Sequence, residues 1–257
     1  MFLSVPAHAQ LPLSVEQLMV PSNRWQTVLA VSQSSRTLGH PSLLQTSLVG
    51  TTTSLGLRYG VGEKLELNVQ AVQSRQRTRQ TFSGAAEQHS SGDSQIGVRL
   101  GANWLLRSED RWPALLIEMR SPLLLQDQRE RGLARSYGIT LTSYKSIDPV
   151  VLSVSANTEI LSNSGADAAA NPSIAWRIQP RVNLALNPVV TLVAGLSYDY
   201  QPPVTDEENA DTPSEHSVTL ELGLGYAVSR NNTVFLTMQS SAERGQSSIA
   251  LQWLRTF

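Results

Sequence analysis

Along most of this chain, apolar and polar residues alternate one for one. The last segment shows it clearly. Ile249, Leu251, Trp253 and Phe257 fall on one parity, with Ser248, Ala250, Gln252 and Thr256 on the other. A period of two is what a strand requires, because successive side chains point to opposite faces. Arg255 shares the apolar face, where its stem could carry the charge to a membrane rim.

The same pattern predicts about twelve strands. They are Arg24 to Ser35, Gln45 to Tyr59, Leu65 to Phe82, Asp93 to Arg107, Pro113 to Gln126 and Ala134 to Ile147. Val150 to Leu161, Asn171 to Leu186, Val189 to Gln201, Glu215 to Val228, Thr233 to Ser241 and Gln246 to Phe257 complete the set. Connections after even-numbered strands are short and built on Gly, Asn, Asp or Pro, as at Asp148-Pro149 and Asn187-Pro188. Most connections after odd-numbered strands are longer and polar, such as Ser83 to Gly92 and Pro202 to Ser214. Short turns on one side and long loops on the other are the asymmetry of outer-membrane barrels. Strands of this length suit a tilted membrane span better than a soluble sandwich.

The expected fold class is therefore all-β, a transmembrane antiparallel up-and-down barrel of about twelve strands with a short N-terminal helical segment. That segment is Ser14 to Met19, with Ser14 and Gln17 spaced as a capping box and Pro21 as the stop. Ala7-His8-Ala9 fits a cleavage site, so residues 1–9 read as a signal-peptide remnant in a protein whose true start lies upstream. Residues 10–23 then form a periplasmic or plug segment, and residues 24–257 the barrel.

Composition fits this picture. The 257 residues are 40% hydrophobic and 16% charged, with net charge −1 and no cysteine. Neither a nucleic-acid partner nor a disulfide framework is expected, and no cofactor is implied. Mean hydropathy is only −0.16. A barrel hides its membrane character because half of each strand faces the lumen.

The two faces differ in kind. One carries Leu55, Leu57 and Tyr59, then Leu65, Leu67 and Val69, then Ile96, Val98, Leu100 and Trp104, then Leu115, Ile117, Met119 and Leu123. Tyr59, Trp104, Tyr226 and Trp253 near short turns, with Tyr198 and Tyr200 near a long loop, suggest two aromatic belts. The other face is polar or small and places charge at mid-strand. Arg99, Glu118, Arg120, Glu159, Arg177, Asp199 and Glu221 are the candidate pore-lining residues. Their mixed signs suit a permeation path and a lumen filled by ion pairs equally well. Arg75, Arg77 and Arg79 continue the apolar face above its apolar part and are candidate contacts for lipopolysaccharide phosphates, a solvated hairpin wall being the alternative. The acidic run Asp206 to Asp211 reads as a solvated external loop rather than a cation site.

Catalysis finds little support. Of the four histidines, His40 and His89 fall in expected loops, His8 near the cleavage site, and His216 at a strand edge. None sits mid-strand beside a serine as a base. No enzyme activity and no metal site is expected.

The stretch Gly92 to Leu124, GDSQIGVRLGANWLLRSEDRWPALLIEMRSPLL, resembles the outer-membrane barrels named for the meta-pathway of phenol degradation. A Gly-Asp opens a strand, a polar turn with Pro follows, and the next strand carries Pro near its outer end. Asn171-Pro172-Ser173 and the terminal Phe257 agree with that likeness. Val15 to Leu18 (VEQL) is similar to a segment of the related barrel of the functional-amyloid export channel of pseudomonads. The resemblance implies transport across the bacterial outer membrane and no particular substrate. The final strand ending in Phe257 also resembles the signal by which such barrels engage the barrel-assembly machinery. Three functions remain open: a solute channel with a charged lumen, an export channel for a polypeptide, and a non-conducting interaction protein with active loops. Monomer and homo-oligomer are equally compatible.

Overall fold

The computed structural model describes residues 19–40, 44–82, 88–127, 135–162, 173–206, 209–212, 214–241 and 245–257. The helix expected at Ser14 to Met19 lies, apart from Met19, outside them, as does most of the plug segment.

The strands are β1 (Trp25–His40), β2 (Leu44–Gly60), β3 (Leu65–Phe82), β4 (Gln88–Arg107), β5 (Ala114–Asp127), β6 (Arg135–Ile147) and β7 (Val150–Ser162). They continue as β8 (Ser173–Asn187), β9 (Val190–Gln201), β10 (Val204–Asp206), β11 (Asn209–Thr212), β12 (Glu215–Ser229), β13 (Asn232–Ser241) and β14 (Gln246–Thr256). Twelve of them close one antiparallel barrel, while β10 and β11 form a separate two-stranded hairpin. The seam joins first strand to last, from Gln26 against Thr256 to Arg36 against Gln246. The Phe257 amide then donates to the Trp25 carbonyl at 2.8 Å. Closure removes the free edges that an open sheet would present.

Burial is inverted relative to a water-soluble protein. On β12, Leu220, Leu222, Leu224 and Tyr226 are exposed, while Glu221 and Gly225 between them are buried. Every apolar side chain of that row would meet lipid.

Three boundaries differ from expectation. β1 runs on to His40 and β4 starts at Gln88, because both extend beyond the apolar band, where neither face needs to be hydrophobic and alternation fades. On β4 a register shift at Gly92-Asp93 also reverses parity, with Arg75 opposite Ser94 but Arg77 opposite Ser91. The third is the β10–β11 hairpin, built within the stretch expected as an acidic loop. Leu123, expected on the outer face, is the extra residue of a bulge, since Arg99 pairs with Pro122 and Val98 with Leu124.

The inward face was expected to be polar or small, and at the short-turn end it is partly apolar. Ala114, Leu116, Tyr144, Val151 and Val193 are buried on the inward parity of their strands. The turn below them is pinned by Glu109, whose carboxylate accepts from the Ser146 amide at 2.8 Å and its hydroxyl at 2.9 Å.

The chain enters this end tightly. Ser22 bridges in parallel to Gly60, and the Asn23 amide donates to the Gly60 carbonyl at 2.8 Å. Asn23 adopts φ 58°, a left-handed turn its short amide tolerates. A Cβ at Gly60 would collide with the Pro21 and Val20 carbonyls, so only glycine admits this crossing.

Candidate functional site

Strand parity turns all seven candidate lumen residues inward. Arg99, Glu118, Arg120, Glu159, Arg177 and Asp199 border one cavity of about 400 Å³, together with Thr140, Ser155, Asn157 and Gln179. Glu118 and Arg120, two residues apart on β5, pair at 3.2 Å. Arg177 and Asp199 are register partners on β8 and β9 and form an ion pair. Asp199 also accepts from the Ser197 hydroxyl at 3.0 Å. That pair borders a second cavity of about 100 Å³ lined by Ser217, Thr219, Gln239 and Ser248. The larger cavity is thus lined by charges from β4 to β9, while β12 to β14 give the smaller one hydroxyls and amides.

Glu221 lies apart from the larger cavity and is 3% exposed. Gln179 and Gln239 donate to it at 2.8 and 3.1 Å, and Arg181 pairs with it at 2.8 Å. Hydrogen bonds from three side chains make its burial tolerable.

Three charged residues of the interior escaped sequence reasoning: Arg58, Glu66 as an ionic centre, and Arg181. Glu66 is 0% exposed. Arg58 grips it with both ends of its guanidinium, at 2.7 and 2.8 Å, and donates to Gln26 at 2.7 Å. Asn103 donates to Glu66 at 2.8 Å, and so does the backbone amide of buried Val20, at 2.7 Å. Gln26 passes the network to Thr256 at 3.2 Å. This cluster ties β1, β2, β3, β4, β14 and the incoming chain into one polar knot. The signal was available, because Arg58 alternates with Leu57 and Tyr59, and Arg181 shares the parity of Arg177.

The outer surface carries both expected belts. Trp25 meets Tyr59 at 4.4 Å at the short-turn rim. Trp176 meets Tyr198 and Tyr200 at 5.3 and 5.6 Å toward the other rim. His216 joins this outer cluster, with Nδ1 2.8 Å from the Tyr198 hydroxyl. Arg75, Arg77 and Arg79 are exposed on the outward parity of β3. Arg255 lies over the Phe257 ring at 4.8 Å. At the long-loop mouth Arg36 and Glu215 face inward and pair at 3.7 Å.

No family model matches the sequence, and no curated protein matches it. Solved structures do. The COG4313 outer membrane channel from Pseudomonas putida F1 superposes with a TM-score of 0.64 at 12% identity, covering 93% of this chain and 97% of that one. The translocator domain of the autotransporter NalP from Neisseria meningitidis gives 0.60 at 9% identity, over 94% and 91% of the two chains. A KdgM porin gives 0.53 at 9% identity, over 90% and 99%. At these identities the likeness concerns fold, and the fold this chain shares is that of the outer-membrane β-barrels.

Proposed function

We propose that the protein is a bacterial outer-membrane channel through which small solutes diffuse, and not an enzyme. The observation that carries this is the cavity of about 400 Å³ inside a closed barrel, walled by three arginines and three carboxylates. A wall of both signs with abundant hydroxyls replaces solute hydration without holding one charge type. Arg99, Glu118, Arg120, Glu159, Arg177, Asp199 and Glu221 set selectivity in this reading. Small polar solutes suit the wall, and the apolar periplasmic end admits less polar ones. The neighbouring channel and porin folds support an outer-membrane location. The final strand, ending in Phe257, is the surface offered to the assembly machinery.

The N-terminal segment is proposed to plug the periplasmic mouth. The buried Val20 amide on Glu66 supports this, because it holds the segment's last residues inside the rim.

Single-channel recording of the refolded protein in planar bilayers tests the channel. Steady ohmic steps whose ion selectivity shifts toward cations in Arg120→Ala, and toward anions in Glu118→Ala, are expected. Silence from a folded, heat-modifiable barrel with residues 11–23 removed would overturn it.

A further inference from the structure

We infer that one flank of the outer wall, formed by β13, β14, β1, β2 and β3, is a binding site for a phosphorylated glycolipid of the outer leaflet. The inference rests on the outer-membrane reading above.

Depth comes first. Ten residues separate Leu65, at the periplasmic turn, from Arg75. At roughly 3.3 Å per residue and a tilt of about 40°, that is roughly 25 Å, the height of a barrel's apolar band. Arg75 therefore stands at the outer rim, with Arg77 and Arg79 stepping above it at intervals of about 7 Å. All three are exposed. Their register partners on β2 are Thr51, Val49 and Ser47, and on β4 Ser94, Ser91 and His89. None of these described register partners is acidic.

Polarity below the ladder is the second observation. Gln33, Thr51, Thr53, Gln73, Ser240 and Ser247 are exposed on the outward parity of this flank. At comparable height β9 and β12 present Leu196, Tyr198, Val218 and Leu220. The apolar band is thus notched on this flank and apolar across β9 and β12. Hydroxyls and amides facing hydrocarbon without partners are unfavourable, and the Ser35 and Ser247 hydroxyls already pair at 2.9 Å. Beside the notch lies a groove of about 420 Å³ bordered by Leu220, Leu222, Met238 and Ile249.

Guanidinium forks match phosphate oxygens in pairs. The terrace of Ser, Thr and Gln suits sugar hydroxyls, and the apolar groove suits an acyl chain. The terrace residues Gln33, Ser240 and Ser247 also border that groove, and a phosphorylated glycolipid joins these three chemistries in one molecule. A second copy of the chain set symmetrically on this flank would bring six guanidinium groups together.

Native mass spectrometry of the full chain in detergent, with bisphosphorylated lipid A, monophosphorylated lipid A and phosphatidylglycerol, tests the site. Affinity is expected to fall in that order. Arg75→Gln/Arg77→Gln/Arg79→Gln should weaken the bisphosphorylated lipid at least tenfold, Arg77→Gln alone should weaken it less, and Arg111→Gln at a periplasmic turn should not change it. Ser247→Trp, filling the groove, should weaken the lipid too. Equal binding by the triple variant, equal binding of phosphatidylglycerol, displacement by millimolar inorganic phosphate, or a crosslinked second copy on this flank would each overturn the proposal. Heat-modifiability and conductance of the same samples separate its failure from that of the channel reading.

Discussion

Arg181 and Glu221 meet across Gly195. Both are register partners of that glycine, on opposite sides, and their side chains pair at 2.8 Å over it. A Cβ there would lie 3.6 Å from the Arg181 stem and 3.2 Å from the Pro180 carbonyl. Any larger side chain would stand in the path of the ion pair. Gly195→Leu should separate the charges and shift conductance and selectivity together. Arg181→Ala should cost about 1–3 kcal/mol, because the guanidinium lost is part-exposed, Glu221 is not wholly buried, and two amide donors remain on it. Urea titration of the refolded barrel measures the loss, and reversal potentials should move toward cation selectivity.

The Arg58–Glu66 pair should matter more for stability. Glu66 has no exposure, so Arg58→Met leaves a buried charge with only neutral donors. The expected loss is about 3–5 kcal/mol. Arg58→Met/Glu66→Leu removes both charges and should recover much of it. A double variant as unstable as the single one would show that the carboxylate is not the source of the damage.

Deleting residues 11–23 removes Val20 and the strand-like bridge at Ser22. If this segment stoppers the mouth, unitary conductance should rise severalfold. Glu66→Gln keeps an acceptor but loses the charge, and should raise the frequency of brief openings. Unchanged traces from both would remove the plug.

Phe257 is tied by its backbone to Trp25 at the seam. Removing it should lower the amount of folded barrel in the outer membrane several-fold while leaving refolding in detergent nearly intact. Equal losses in both settings would point to seam stability rather than to delivery.

Much of this was readable from alternation alone. β3 begins at Leu65 and ends at Phe82 as expected, because a tight turn precedes it and its first half is apolar on one parity only. The inward orientation of all seven lumen residues follows from the same count. What escaped had physical causes. Leu115 and Leu116 are both apolar, so the pattern cannot say which one enters the lumen. Tyr144 is buried inside, though an aromatic near a turn suggests a belt. The Gly92-Asp93 bulge reverses parity and conceals five residues of β4. The grip of Arg58 on Glu66 joins adjacent strands, yet nothing in a linear pattern tells which inward charges touch.

The seam has a consequence for how the molecule is made. Gln26 and Thr256, hydrogen-bonded in the finished wall, are 230 residues apart in the chain. Without β14, β1 is paired with β2 alone, and a sheet lacking its final strand carries two open ladders that invite other chains. Long-range closure is entropically costly and slow. The wall can therefore close only once its last strand exists, and until then its two open ladders must be kept from other chains.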